Sequence, residues 1–325
     1  MNYIGSKRKL VSWIENEIKS FVGEDLSEKV FCDIFAGTGT IGRRFKTQVK
    51  KVIANDLEHY SYILNKNYIQ NNDALDDKLL RIEELNALDV EENGFIYRHY
   101  ALGSGSKRQY FSDINAKKID TIREQIEQWY KTKEIGTQMY TFLLASLLES
   151  ADKVANTASV YGSFLKKLKA SAKEIMCLEA ADFSTHTKEH TVFKQDANAL
   201  IHTIRGDILY IDPPYNQRQY GLYYHILNTI SQYDDFEPQG KTGLRTYTRS
   251  NYCKTKKVYE SFETLIANAD FEYIFVSYNS EGHMSKEEIK NIMQKYGTYS
   301  VQTKEHRRFD AGTTFEYLHV IKKEQ

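Results

Sequence analysis

The sequence is poor in cysteine and proline, with three of each in 325 residues. Cys32, Cys177 and Cys253 have no metal-ligand spacing, so we predict neither a zinc site nor a disulfide framework. The sequence also lacks an apolar run long enough to cross a membrane, and its start, MNYIGSKRKL, lacks the apolar core of a secretory signal. We therefore expect reduced thiols, no membrane partner and a cytoplasmic location.

An excess of charge of either sign is missing as well, because 44 basic residues match 44 acidic ones. Only the distribution of charge can then indicate a polyanionic partner. The charged residues between positions 241 and 257 are all basic: Lys241, Arg245, Arg249, Lys254, Lys256 and Lys257. Several tyrosines stand among them. This segment is consistent with a nucleic-acid surface and equally with a solvated loop.

Short β-branched and aromatic runs predict buried strands at 29–35, 51–57, 191–197, 207–212 and 271–278. Helical patterns between some of them indicate an α/β fold with a mostly parallel sheet. Two further runs flank Asp310-Ala311-Gly312, a turn signal, and predict a C-terminal antiparallel hairpin. Strand signals almost vanish between residues 68 and 190. We predict a catalytic domain of residues 1–67 and 191–325, with a helical lobe inserted at 68–190.

A glycine-rich loop, DIFAGTGTIG, places Gly37, Gly39 and Gly42 in the G-x-G-x-x-G spacing after a predicted strand. Because glycine lacks a Cβ and tolerates positive φ, a cofactor can approach such a backbone closely. Asp56 lies near the end of the next strand, where an acid can bind ribose hydroxyls. Dehydrogenases and S-adenosylmethionine enzymes share this pattern. Asp33 favours S-adenosylmethionine, since a carboxylate there attracts the amino group of a methionine moiety and repels a pyrophosphate.

The quartet Asp212-Pro213-Pro214-Tyr215 follows the apolar run ILYI. The exocyclic amine of adenine is a poor nucleophile, because its lone pair is delocalised into the ring. Two acceptors, the Asp212 carboxylate and the Pro213 carbonyl, can bind its two N–H groups and localise that lone pair. The prolines fix φ and remove competing donors, and Tyr215 offers a flat face to a base that has left the duplex. An ordinary turn after a strand is the alternative interpretation.

No proline precedes a cysteine, so the Pro-Cys nucleophile of cytosine-C5 methylation is missing. Methyl transfer to an amine needs no covalent intermediate, because it is a direct in-line displacement helped by proximity and orientation. The motifs therefore predict an amino-methyltransferase.

Together these motifs resemble the Dam-type, alpha-group family of N6-adenine DNA methyltransferases. NYIGSK is similar to its opening motif, DIFAGTGT to its cofactor loop, DPPY to its catalytic motif and FVSYNSEG to a later motif that contains Asn279. The order of glycine loop, insertion and catalytic motif is the alpha-group order. The resemblance implies the Rossmann-like methyltransferase fold, a seven-stranded sheet with one antiparallel strand near the C-terminus, and target recognition by the inserted lobe.

The resemblance also implies S-adenosylmethionine as the cofactor, double-stranded DNA as the partner and no metal. The implied catalytic residues are Asp212, Pro213, Pro214 and Tyr215. The implied cofactor-binding residues are Tyr3, Gly5, Lys7, Asp33, Phe35, Ala36, Gly37, Thr38, Gly39, Asp56, Asp196 and Asp212, with Asp196 near the cofactor adenine. The candidates for DNA contacts are Arg218, Lys241, Arg245, Arg249, Lys254, Lys256 and Lys257.

We expect a site-specific enzyme that modifies nucleoid DNA as part of a bacterial restriction-modification system. A cognate endonuclease would act on the same site without necessarily binding this protein. Two alternatives stay open: methylation of cytosine N4 or of RNA adenine, and a DNA-binding relative that has lost catalysis. The block ESADKVANTASVYGSF is also similar to the family, but the pattern assigns no role to Asn156, Tyr161 or Asn279. It does not give the recognition sequence either.

Overall fold

The computed structural model describes residues 5–90, 94–307 and 313–323. These residues form two compact units. The sheet unit comprises Ser6–Leu57, Thr187–Gln219 and the described part of Thr248–Gln325. The helical unit comprises Gly5, Glu58–His186 and Tyr220–Tyr247, again for its described residues. The helical unit thus contains the lobe predicted at 68–190 up to His186, and also residues 58–67 and 220–247.

The sheet unit is built on one sheet. Its strands are β1 (Val30–Asp33), β2 (Lys51–Asn55), β3 (Thr191–Phe193), β4 (Arg205–Ile211), β5 (Asp270–Asn279), β6 (Gly297–Arg307) and β7 (Thr313–Lys323). The seven strands lie in the order β3-β2-β1-β4-β5-β7-β6, and β7 runs antiparallel to both of its neighbours. The predicted mostly parallel seven-stranded sheet with a C-terminal antiparallel hairpin is confirmed. The turn at Asp310-Ala311-Gly312 lies outside the described residues.

Helices connect most of the strands and make up the larger part of the helical unit. They are α1 (Val11–Val22), α2 (Thr40–Phe45), α3 (His59–Asn65), α4 (Lys78–Asn86), α5 (Phe95–Tyr100), α6 (Asp113–Lys131), α7 (Thr137–Val154), α8 (Ala170–Lys173), α9 (Ala197–Leu200), α10 (Tyr220–Tyr223), α11 (His225–Gln232), α12 (Val258–Asn268) and α13 (Lys286–Met293). Short 3₁₀ turns stand at Lys7–Lys9 and Asn251–Cys253, and a π turn at Lys66–Gln70. In the described ranges, no helix is long and apolar enough to span a bilayer.

The central strands are apolar because both faces of the sheet are covered. Leu209 of β4 lies in register with Ile274 of β5, and Ile211 lies in register with Val276. All four are fully buried and belong to a core cluster that includes residues of α12 and α13. Parallel strands place their carboxyl ends at one edge of the sheet, and ligands of open α/β sheets bind outside that edge. β1, β2, β4 and β5 all end there.

Asn55 ties the loops at this edge together. Its buried side-chain amide donates to Ile34 O and to Gln195 O, both at 3.1 Å, and its Oδ1 accepts from Gln195 N at 3.0 Å. These bonds join the chain segments that follow β1, β2 and β3. This role of Asn55 was not predicted from the sequence. The available signal was an Asn at a strand end, directly before Asp56.

The helical unit gets its buried face from α6 and α7. In α6, Ile119, Ile122 and Ile126 recur at three- and four-residue intervals and are fully buried, as expected of an amphipathic helix. Ser112 caps this helix by accepting from Asn115 N at 3.4 Å. None of the three cysteines forms a disulfide, and within the described ranges no cluster of His, Cys, Asp and Glu is suited to a metal ion.

Asn156 and Tyr161 hold the helical unit together. The fully buried Asn156 amide donates to Gln109 O at 2.9 Å and Leu165 O at 3.0 Å, and its Oδ1 accepts from Lys169 N at 3.0 Å. Tyr161 donates its hydroxyl to Asp152 at 2.8 Å. The family-like block that contains these residues is therefore structural in this unit.

We expect Asn156→Ala to lower the free energy of unfolding by about 3 kcal/mol, because it removes three hydrogen bonds made by a fully buried side chain. Urea unfolding followed by circular dichroism measures the change. Asn268→Ala is the matched control, since Asn268 is exposed and bonds only Thr264 O within its own helix. The control should cost less than about 0.5 kcal/mol. Equal losses would contradict the structural role of Asn156.

Candidate active site

Asp33 ends β1 at the carboxyl edge, and one oxygen of its carboxylate is unsatisfied. The residue is 2% exposed, and its Oδ1 has no hydrogen-bond partner among the described residues. Burial raises the pKa of Asp33 well above its ordinary value, and the negative charges of Asp212 and Asp56 raise it further. Backbone N–H groups of Gly42 and Phe35 oppose this shift. A buried carboxyl group beside two others fits a positively charged ligand group.

The glycine loop folds onto the acid that ends the next strand. Gly37 has φ of 52° and Gly39 has φ of 76°, a region that favours glycine. Gly37 N donates to Asp56 Oδ2 at 2.8 Å, and Ala36 N donates to Asn55 O at 2.8 Å. Gly39 then stands directly before α2. The backbone is thus positioned for close approach by a cofactor, beside the acid predicted to bind ribose.

Lys7 lies on the catalytic motif. Its Nζ is 3.1 Å from Asp212 Oδ1 and donates to Tyr215 Oη at 2.7 Å, and the side chain is 4% exposed. Glu316 of β7 is the second carboxylate, with Oε2 at 3.6 Å from Lys7 Nζ. Burial lowers the pKa of Lys7, but Asp212, Tyr215, Tyr210 and Glu316 outweigh it and hold that pKa well above its ordinary value. The buried ammonium therefore stays charged.

The acidity of Asp212 is set by opposing effects. Burial raises the pKa of Asp212 to about 6, the Lys7 ammonium lowers it, and the charge of Glu316 raises it. Since the carboxylate is the form that accepts hydrogen bonds, Asp212 is a competent acceptor at neutral pH. It stands directly after β4, and Pro213 and Pro214 give the segment that follows a fixed φ.

The end of β5 and the segment that follows it hold Tyr215, the tyrosine of the predicted catalytic motif. Tyr278 meets the Tyr215 ring edge-on at 5.3 Å between centroids, and His283 N donates to Tyr215 O at 2.7 Å. Asn279 accepts from Glu281 N at 3.0 Å, and this bond stabilises the turn that leads to His283. The motif FVSYNSEG was singled out from sequence, but the supporting roles of Tyr278 and His283 were missed, because they follow from tertiary contacts.

Other residues of the predicted cofactor set have varied surroundings. Asp196 is exposed and caps α9, where Oδ1 accepts from Asn198 N at 2.9 Å and from Ala199 N at 3.2 Å. Phe35 packs edge-on against Tyr252 at 4.9 Å. Ala36 is buried, Thr38 Oγ1 lies 3.4 Å from Thr40 Oγ1, and Gly5 has φ of 79° in the helical unit. Tyr3 lies outside the described residues. Cofactor contacts by these residues stay predictions.

The DNA-contact candidates are mostly exposed. Arg218, Arg249, Lys254, Lys256 and Lys257 are exposed in the sheet unit, and Lys241 is exposed in the helical unit. Lys257 pairs with Glu260 at 3.1 Å.

Arg245 differs from the other cations in the predicted set. It is 8% exposed, lies 3.0 Å from Asp234 Oδ2 and has its guanidinium 4.9 Å from the Phe236 ring centroid. Its charge is thus engaged inside the helical unit. Charge counting from sequence could not distinguish it from its exposed neighbours.

Comparison with known proteins indicates which amine is methylated at the carboxyl edge of the sheet. The model of the D12 class N6 adenine-specific DNA methyltransferases matches residues 3–292. The chain belongs to this class. The predicted enzyme class and the use of S-adenosylmethionine are confirmed.

Curated Type II methyltransferases match over nearly the whole chain. Type II methyltransferase M.NlaIII of Neisseria lactamica is 56% identical over 99% of both chains. Type II methyltransferase M.CviAII of Paramecium bursaria Chlorella virus 1 is 37% identical, over 96% of this chain and 93% of the relative. Type II methyltransferase M.FokI of Planomicrobium okeanokoites is 38% identical, over 100% of this chain but 53% of the relative.

The site of this D12 methyltransferase suits its cofactor. S-adenosylmethionine supplies a methyl group on a positively charged sulfonium, and its methionine amino group is a second cation. The unsatisfied carboxyl group of Asp33, the open glycine loop and Asp56 are the residues that would hold it. Asp212 is the residue predicted to accept an N–H of the target amine and so to concentrate its lone pair. Lys7 keeps Asp212 in place.

We expect Asp212→Ala to lower the methylation rate at least about 10²-fold, the usual effect of removing one preorganised polar group. The affinity for S-adenosylmethionine, measured by isothermal titration calorimetry, should stay within about threefold, because the glycine loop is untouched.

Asp207→Ala is the matched control for that experiment. Asp207 lies near the start of the same strand, where it accepts from Val30 N at 2.7 Å. The control enzyme should keep its turnover. A rate near wild type in Asp212→Ala would contradict the assigned role, and a parallel loss of cofactor affinity would make Asp212 a cofactor ligand instead.

Proposed function

We propose that this enzyme methylates the N6 amine of one adenine within a fixed recognition sequence of double-stranded DNA, after the base has rotated out of the helix. The observation that carries the proposal is the Asp212 carboxylate, held by buried Lys7 beside the Asp33 and Asp56 acids. Stacking covers the faces of a base inside a duplex and pairing covers its Watson–Crick edge, so the target must leave the stack to reach such a recessed acceptor. The partly buried ring of Tyr215 offers a stacking face.

The enzyme's biological role is DNA modification in a restriction-modification system. Its relatives M.NlaIII, M.FokI and M.CviAII carry the name of Type II methyltransferases, which supports this role. A cognate endonuclease would act on the same sequence without necessarily binding this protein. The substrate would then be nucleoid DNA in the bacterial cytoplasm.

We expect N6-methyladenine as the product. Duplex DNA from a methylation-free host is incubated with the enzyme and isotope-labelled S-adenosylmethionine, and the nucleosides are analysed by mass spectrometry. The label should appear in N6-methyladenine, and single-molecule sequencing should place it at one sequence context. Labelled N4-methylcytosine, or label in an RNA substrate alone, would overturn the proposal. Asp212→Ala enzyme is the control for contaminating activity.

The exposed cations supply the phosphate contacts in this proposal. Lys254, Lys256 and Lys257 stand together in the sheet unit, between the Asn251–Cys253 turn and α12. Lysines bind phosphate as point charges and carry no sequence information. The helical unit, with Lys241 exposed, is the proposed site of target recognition. Arg218 lies three residues after Tyr215, and we propose that it holds a phosphate or a base edge near the target.

Replacing Lys254, Lys256 and Lys257 together with Gln should weaken DNA binding and flatten its salt dependence. Each lost phosphate contact reduces the slope of log K against log salt by about 0.9. Fluorescence anisotropy with labelled duplex at several salt concentrations measures the slope. The matched control replaces Lys50, Lys290 and Lys295, which are exposed at 63%, 42% and 55%. A slope equal to that of the control would assign the lysines to a solvated loop.

A further inference from the structure

We propose that Glu316 is a positioning residue for methyl transfer, because it shares the buried Lys7 ammonium with Asp212 and so leaves Asp212 free to bind the adenine amine. No motif in the sequence marks Glu316. The inference rests on the proposed function of Asp212 and adds a residue that acts on it from another strand.

Glu316 lies near the same Lys7 ammonium as Asp212 does. Lys7 Nζ lies 3.1 Å from Asp212 Oδ1 and 3.6 Å from Glu316 Oε2. Glu316 is 8% exposed, and it lies on β7 in register with Asn279, the last residue of β5. A carboxylate this deeply buried is costly unless a cation stays close to it. The two carboxylates therefore compete for one ammonium.

Other polar and charged groups also surround these two acids. The charge of Lys7 lowers the pKa of Asp212, and the charge of Glu316 raises it. Burial raises the pKa values of Tyr210, Tyr215 and Asp33, and the charge of Asp212 raises them further. Glu316 lies in register with Lys304 of β6, whose Nζ is 5.5 Å from the Trp13 ring centroid. Lys7 is the cation that both carboxylates share.

The competition has a chemical consequence. If Glu316 loses its charge, Asp212 is the carboxylate that remains with Lys7, and an oxygen engaged more strongly by an ammonium is a weaker acceptor for an amine N–H. Positive charge also develops on the adenine nitrogen during transfer, and Glu316 adds negative charge nearby to stabilise it. A fully neutralised Asp212 would stabilise that charge less.

The test is the pH profile of kcat/KM, which reports groups of the free enzyme. Asp212 has a pKa of about 6, so wild-type activity should be present above that pH and be lost as pH falls through it. In Glu316→Gln the neighbouring negative charge is gone, ionisation of Asp212 becomes easier, and the acid limb should move down by about one unit. The plateau rate should fall about tenfold, as for the weakening of one hydrogen bond.

Variants with matched shape or position separate this role from a structural one. Glu316→Asp keeps the charge and should keep the wild-type acid limb. Glu305→Gln changes an exposed acid of the neighbouring strand and should alter neither rate nor profile. If Glu316→Gln does not fold, as judged by its melting temperature and by S-adenosylmethionine titration, Glu316→Met removes the same charge without adding a buried amide.

If Glu316→Gln has a lower rate but an unchanged acid limb in its pH profile, Glu316 has only a structural role. If both the rate and the acid limb equal those of the wild type, Glu316 has no role in the mechanism. Either result overturns this inference alone if Asp212→Ala is inactive. Full activity in Asp212→Ala would instead overturn the proposed function from which the inference starts.

Discussion

The candidate active site depends on one buried ammonium, that of Lys7, which two carboxylates and one tyrosine hydroxyl share. Lys7 contacts Asp212, Tyr215 and Glu316, although these residues are spread from one end of the sequence to the other. Taking an ion out of water costs several kcal/mol, and removing one member of a buried pair typically costs about 3–5 kcal/mol. The cluster therefore forms only when the first 3₁₀ turn, the end of β4 and the start of β7 meet. The strand order makes this possible, since β7 is inserted beside β5, which itself pairs with β4.

The same edge carries more acids than this lysine can balance. Besides burial, the charges of Asp212 and Asp56 raise the pKa of Asp33, and the charge of Glu316 raises the pKa of Asp212. Asp33 also keeps a buried oxygen without a partner among the described residues. An excess of negative charge at a recessed edge is unfavourable for stability by itself. It is favourable for a donor that arrives with a sulfonium and an ammonium, and for an amine that becomes positive as it is methylated. The negative charge of this edge is thus better matched by the positive charges of the reacting groups than by the cations of the protein itself.

Local patterns predicted what local physics decides. The five strand runs, the glycine loop and the proline pair were visible because apolar periodicity, positive φ and fixed φ are properties of short segments. The third strand is shorter than the predicted 191–197, because Asp196 caps α9. Glu316 could not be found, since a lone Glu in TTFEYLHVIKK has no local signature. Arg245 was grouped with exposed cations, because its partner Asp234 precedes the basic run and its burial is a tertiary fact.

Buried polar residues of this protein fall into two kinds. One kind has its hydrogen bonds satisfied within its own unit, and the other keeps a polar atom without a partner among the described residues. Asn156 and Tyr161 use their polar groups on partners within the helical unit, and Asn55 does so within the sheet unit. Buried polar groups of this kind are stabilising only because they are paired. Asp33 breaks that rule at the carboxyl edge. A protein can tolerate a buried carboxylate oxygen without a partner where a ligand later supplies one. If Asp33 binds the cationic methyl donor as predicted, the stability lost at Asp33 in the free enzyme is regained when that donor binds.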